Sequence, residues 1–388
     1  MIIAIIGPYF YPQRYGIEKV MYAHAEHLAM RGHDVHVLTS YLRFPDGSYV
    51  NLKKDEVING FSIHRHKVII RRPMKPFAYP SNGGLIIGGL MKTLRLINPD
   101  IVHVHNIGAP AWAFISARFS AKNKKPFFYS PYFHPGKLKF NTIRKSILYL
   151  LNIQGLKQAS KIYHQSSKDI IPFMIDYPFV LDSKVSILRN GVNPPADVAR
   201  ISKNSGALVM LFVGRVDDAR KGFAVLADAF SIFNASAKKQ VVFKVVGTIS
   251  DAYKSQLSAR FGNAIEIVGE VSEEELDVSY ANADIFVMPS IYEGFGMPFI
   301  EAMRYGIPVI GTNVGGIPEV VPENAGLLVP VGDANALAKA ITRLVNDDME
   351  RQKMGVYGER WSKAFYWDAI IDQLESDYLL FHEKVHFQ

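Results

Sequence analysis

At 388 residues the chain exceeds the roughly 250–300 at which a single hydrophobic core stops growing, so two domains are expected. A hydrophobic share of 48% with 12% aromatics is ample for two cores and argues against disorder; the absence of Cys excludes disulfides, thiolate catalysis and Cys-ligated zinc and favours a reducing compartment. The formal charge of +8 is unevenly spread: residues 1–200 hold 27 Lys+Arg against 11 Asp+Glu, net +16, and the remainder 17 against 25, net −8.

The opening Met-Ile-Ile-Ala-Ile-Ile reads as a buried first strand, since it stops at Gly7-Pro8 and is too short for a signal peptide or a membrane span. Up to residue 190, short apolar runs alternate with amphipathic segments in the rhythm of βαβ units. Strands are predicted at 2–6, 35–39, 101–105, 127–130 and 161–165, with Phe61–His66 as a two-sided or edge strand. Helices are predicted near 16–31, 84–97, 110–122, 141–156 and 166–175. The result is a doubly wound parallel sheet.

Several polar residues fall at the carboxyl ends of these strands, where such sheets bind ligands. Gly16 closes a long loop after the first strand, and Glu18 in the first helical turn is accounted for by the helix dipole. His103 and His105 share one face of a strand. With no third His or carboxylate nearby in sequence, they are expected to be polar residues lining a cleft rather than metal ligands. His134, beyond another strand, is expected at the same edge. Basic clusters at Arg71-Arg72-x-x-Lys75, Lys122-x-Lys124-Lys125 and Lys137 to Lys145 suit an anionic acceptor or an anionic membrane surface; no nucleic-acid partner is expected.

Paired prolines at Pro194-Pro195 mark a linker, placing the boundaries at 1–195 plus 368–388 and 196–367. A second βα series then predicts strands at 208–213, 241–246, 264–268, 284–288 and 307–310, and helices near 222–236, 251–260, 272–281, 298–305 and 333–346. In it, Gly214-Arg215-Val216-Asp217-Asp218-Ala219-Arg220-Lys221-Gly222 sets a guanidinium fork and an ammonium at a sheet edge, a suitable pair for a diphosphate, with the two Asp as turn and capping acids. Ser272 and Glu275 form a capping box, with Val271 before it as backbone on which a base could pack. In Glu293-Gly-Phe-Gly-Met-Pro-Phe-Ile-Glu301, two carboxylates bracket a turn and Pro298 reads as a helix start; Gly294, Phe295, Gly296 and Met297 offer backbone N–H groups to an anion. The last stretch, Trp361 to about Leu380, has the apolar spacing of a helix.

Taken together, Arg215 with Lys221-Gly222, the Glu293-x7-Glu301 pair, Gly315-Gly316-Ile-Pro318-Glu319-Val320 and Gly16-Ile-Glu18 resemble the retaining family 4 glycosyltransferases of the GT-B fold, over nearly the whole chain. The resemblance implies two Rossmann-like domains facing across a cleft, a C-terminal helix crossing back to the first domain, and metal-independent transfer of a sugar from a nucleoside-diphosphate donor. With the basic first half, a glycan or lipid-linked acceptor in cell-surface polysaccharide or glycolipid synthesis is expected, and with the absence of Cys a cytoplasmic enzyme, peripheral on the inner face of the membrane. By matching motif, Arg215 and Lys221 would bind the diphosphate, Glu301 the ribose, and Glu293 and His134 the donor sugar, with Gly16 approaching the phosphates. Tyr15 stands where the family often has a second Gly, Pro135 where an Asp is common, and Gly247-Thr-Ile-Ser where the turn is richer in Gly. Two alternatives stay open on the same architecture: a nucleotide-sugar 2-epimerase-like isomerase and a non-catalytic nucleotide-sugar-binding subunit.

Overall fold

The computed structural model describes residues 1–12, 16–42, 50–69, 86–105, 109–132, 143–198 and 206–386. They form two compact units, Met1–Arg189 with Trp367–Gln388, and Asn190–Tyr366.

The first unit is built on a sheet whose strand order is Val185–Ile187, Lys161–His164, Phe127–Ser130, Ile101–His105, Ile2–Ile6, Asp34–Ser40, Phe61–His66, Asp55–Ile58. All neighbours are parallel except the last pair. The first strand can be isoleucine-rich throughout because both faces are covered. Ile3 and Ile5 pack under the helices Gly16–Met30 and Trp367–His386; Ala4 and Ile6 point the opposite way, into a core with Leu94, Trp112, Ala117 and Phe173. Phe61–His66 is not an edge strand, since Asp55–Ile58 pairs outside it. The polar alternation that suggested an edge comes partly from Arg65, whose buried guanidinium meets Glu56 at 2.5 Å and the Lys53 carbonyl at 2.8 Å.

Tyr366 and Trp367 mark the change of unit near the C-terminus. Val192 donates to the Phe365 carbonyl at 2.8 Å, and Arg304 holds the Asn193 and Pro194 carbonyls at 2.7 and 3.2 Å. The paired prolines therefore lie inside the second unit. Trp367–His386 packs on the first, fastened by Arg31–Glu375 and Lys161–Asp377, both at 2.7 Å.

In the second unit the order is Ile265–Gly269, Val241–Val246, Leu208–Val213, Ile285–Val287, Val309–Thr312, Gly326–Val329, all parallel. Numbered along the chain this is 3-2-1-4-5-6, so the connection reverses direction between Leu208–Val213 and Ile285–Val287. Such a switch point splays the following loops apart and opens a crevice at the carboxyl edge. The strand Gly326–Val329 and the helix Asp348–Ser362 lie outside the sequence expectations. The strand is four residues without alternation, and the helix has few buried side chains to give it a period.

Candidate functional site

The two loops at the second unit's switch point carry most of the expected residues. After Leu208–Val213 the chain passes Arg215, makes a short 3-10 turn at Ala219–Lys221, and enters the helix Phe223–Asn234 through Gly222. Gly222 has φ 68, and a Cβ there would stand 1.9 Å from the Pro289 carbonyl oxygen. Only glycine lets the loops lie this close. The Ile291 N–H donates to the Arg220 carbonyl at 2.8 Å and ties them together.

That closeness brings Lys221 to Glu293, with Nζ 2.7 Å from Oε2 and both side chains mostly covered. Sequence reasoning gave the two residues separate roles but not this contact. The downstream Gly-Gly motif serves the same loop: a Cβ on Gly315, φ 54, would come within 1.8 Å of the Glu293 carbonyl oxygen, which accepts the Gly316 N–H at 3.2 Å. Glu293 is thus held by backbone from one side and by an ammonium from the other.

Arg215 is half exposed and meets Asp218 at 2.8 Å; Arg220 meets the same carboxylate at 2.6 Å. Hydrogen bonding from Arg220, outweighing burial, holds the Asp218 carboxyl down at about 2. Asp218 also accepts the Arg220 backbone N–H, and Asp217 accepts from the Ser250 N–H and hydroxyl at 2.8 and 3.0 Å. Both Asp are the turn and capping acids expected, and Asp217 additionally anchors the Gly247–Ser250 turn.

Beyond Glu293 the turn Gly294, Phe295, Gly296 leads into the helix Met297–Met303. Gly296 is its N-cap and Pro298 stands in its first turn. Phe295 is buried, whereas a Cβ on Gly294 would meet nothing within 4 Å, so the backbone there is open to approach. The first N–H groups of any helix lack intrahelical partners, which biases this turn toward anions. Glu301 sits one turn in, its Oε2 accepting the Tyr280 hydroxyl at 3.0 Å. Burial first, then the Glu301 charge, push the Tyr280 hydroxyl well above its ordinary pKa, so it stays a donor. Tyr280 carried no sequence signal, lying on the helix Glu273–Ala281 with no motif of its own. The Ser272–Glu275 capping box is present, and Val271 before it packs partly against the core.

In the first unit, Gly16 opens the helix Gly16–Met30 with φ 28. His134 lies outside the described residues. Glu18 stands in the first turn of the helix Gly16–Met30 as expected, but it is only 3% exposed, and burial, outweighing a backbone hydrogen bond, pushes its carboxyl up to about 7. One expectation is corrected here. His103 and His105 do not line a cleft but are fully buried, covered by His24, Tyr132 and Tyr378. Burial lowers all three imidazoles, His24 to about 3, and keeps them neutral.

Both units are similar to known proteins. Residues 195–361 match the family described as "Glycosyl transferases group 1", and residues 15–194 the family described as "Glycosyltransferase Family 4". A phosphatidyl-myo-inositol mannosyltransferase of Mycobacterium leprae is 25% identical over 96% of this chain and 95% of its own length. An O-antigen chain mannosyltransferase B of Escherichia coli is 40% identical over 30% of each. Among solved structures, Anabaena HepE in complex with UDP-glucose superposes with a TM-score of 0.69 at 18% identity, over 97% of this chain and 99% of that one. The fold is that of the GT-B glycosyltransferases, two parallel-sheet α/β units.

Proposed function

The chain belongs to the glycosyltransferases of group 1 and family 4, and on that premise we propose that it moves a hexose from a nucleoside-diphosphate sugar to a glycan or lipid-linked acceptor, with retention and without a metal. The observation that carries this reading is the pairing of Lys221 with Glu293 at the switch point, beside Arg215 and an open helix N-terminus. Cleaving the sugar–phosphate bond leaves negative charge on the diphosphate and positive character on the ring. Arg215, Lys221 and the N–H groups of Gly294 to Met297 suit the former, and the Glu293 carboxylate the latter. Gly16 and His134 of the first unit are assigned to the phosphates and the donor sugar by their motifs.

In this scheme the acceptor hydroxyl bonds to the anomeric carbon as the phosphate oxygen leaves, and that oxygen takes the hydroxyl proton. Glu301, fixed by Tyr280, holds the ribose, and Val271 lies where the base would pack. The mannosyltransferase relatives make a mannose donor the first to try, with UDP-glucose second on the likeness to HepE.

Purified protein would be screened against nucleotide sugars by thermal shift, and the best donor then offered with lipid-linked and free glycan acceptors under mass-spectrometric product analysis. Transfer or slow donor hydrolysis, with nucleotide binding weakened in Arg215→Ala, is the expected result. Neither transfer nor hydrolysis, with binding unchanged in the variant, would remove the proposal.

The basic first half, net +16, supports residence on an anionic membrane surface, the cytoplasmic inner face. No described helix is long and apolar enough to cross a membrane. Co-sedimentation with anionic but not neutral vesicles, weakening as salt rises, is expected; indifference to lipid charge would overturn that part.

A further inference from the structure

The first unit holds a polar cluster that the proposed transfer does not use. His24 reaches from the helix Gly16–Met30 to His103 and His105 on the strand Ile101–His105, and one nitrogen from each lies within 4.8 Å of the other two. All three side chains are buried. Both ring nitrogens of His24 and Nε2 of His105 have no hydrogen-bond partner. Buried polar atoms are nearly always partnered, so the unpartnered nitrogens of His24 and His105 require an explanation.

The groups around the rings orient them. Nδ1 of His105 is 2.9 Å from the Tyr132 hydroxyl, and Nδ1 of His103 is 2.6 Å from the Tyr378 hydroxyl. With each Nδ1–H donating to its tyrosine oxygen, both Nε2 atoms are left as acceptors, the tautomer that metal-binding histidines adopt when an outer partner fixes the other nitrogen. Nε2 of His103 is 2.9 Å from Ser130 Oγ, a contact an ion would exchange for its own. Trp367 stands edge-on to His24 at 5.7 Å and closes the other side. Glu18 is a buried carboxyl on the same helix as His24 and acts electrostatically on Tyr132, so a group that a bound cation would favour in its ionised form is near.

We propose that His24, His103 and His105 bind one divalent transition-metal ion of the zinc type, as a structural site tying the first helix to the central strand of the first unit. Imidazole donors select zinc, copper or nickel over magnesium or calcium. Metal–nitrogen distances near 2.0–2.1 Å put neighbouring nitrogens about 3.4 Å apart, so the rings draw together on binding. Neutral imidazoles bind without first losing a proton, and burial keeps these neutral. A third ligand was invisible in sequence because His24 lies far along the chain from the other two.

The test uses the full chain, stripped with chelator and titrated with Zn2+ alone. Wild type should take up one equivalent per chain with a rise in melting temperature, and Co2+ in its place should give visible absorption from a nitrogen-coordinated site. His24→Phe should lose that equivalent, and Tyr378→Phe should retain it with roughly 10–100-fold weaker affinity. Equal uptake by wild type and His24→Phe would assign the metal to other histidines such as the partly buried His36 and His64, and no uptake by wild type would leave the nitrogens to water; either overturns the proposal. If His24→Phe does not fold, X-ray absorption of the zinc-loaded wild type decides, three imidazoles supporting the site and an oxygen-dominated shell overturning it. None of these readouts uses donor or acceptor, so their failure leaves the transferase reading standing.

Discussion

Both units place polar residues at the carboxyl edge of a parallel sheet where the strand order reverses, yet the two edges have opposite electrostatics. In the first unit Glu18, His24, His103 and His105 are buried, and desolvation drives each toward its neutral form. In the second, Lys221, Glu293, Arg215 and Asp218 keep solvent contact and opposite-charge partners. Topology decides where polar side chains gather; what covers them decides whether they are charged. A terminal helix lies over the first set, bringing Tyr378 and Trp367, while the glycines at 222 and 315 keep the second set close without covering it.

Four experiments would break or sharpen that contrast. The largest effect is expected at Glu293, where replacement by Gln keeps the shape but removes the charge. Transfer should fall by roughly 10²–10³, the scale of losing one electrostatic contact to a transition state, while nucleotide affinity from calorimetry changes little. A larger loss in binding than in turnover would move Glu293 away from the reacting sugar.

Next is Glu18→Gln. A carboxyl pushed up to about 7 from 4.5 binds more protons folded than unfolded between those values, so its contribution to stability falls as pH rises through that window. By pH 8 the charged, buried form costs about 3 kcal/mol. Chemical denaturation should find the Gln variant more stable than wild type at pH 8 and the advantage much reduced at pH 5; a pH-independent difference would mean that Glu18 is not desolvated.

The histidines run the other way. A pKa lowered to about 3 from 6.5 means the unfolded chain binds more protons between those values, so the stability contributed by neutral His24 is present above 6.5 and lost as pH falls toward 3. His24→Leu should flatten the acid limb of the wild-type stability curve in metal-free buffer, and an unchanged slope would contradict burial of the ring.

The smallest effect belongs to the Tyr280–Glu301 hydrogen bond. Glu301→Ala should weaken donor binding by about tenfold or more, and Tyr280→Phe, which leaves the carboxylate but frees it to turn, by a few fold, about 1 kcal/mol. Both should appear in donor KM with kcat largely kept. If Tyr280→Phe lowers kcat alone, Glu301 is not a donor-binding group.

Much of this was legible along the chain. The strands at Ile2–Ile6, Ile101–His105, Phe127–Ser130 and Leu208–Val213 follow from short apolar runs between turn residues, and the helix start at Gly296 to Pro298 from local capping rules. Where the pattern was weak the reading failed or stayed open: Gly326–Val329 is too short to alternate, and of the two-sided and edge readings of Phe61–His66 only strand pairing excludes the edge.

The sequence by itself determined the two-unit architecture, the cations at Arg215 and Lys221 and the carboxylates at Glu293 and Glu301, because periodicity, capping and turn chemistry act over a few neighbouring residues. Only the tertiary structure decided that Lys221 meets Glu293, that Tyr280 holds Glu301, and that His24 completes a buried set with His103 and His105. These partners lie tens of residues apart. Their contact, and the desolvation that sets their charge, exist only once sheets and helices have packed.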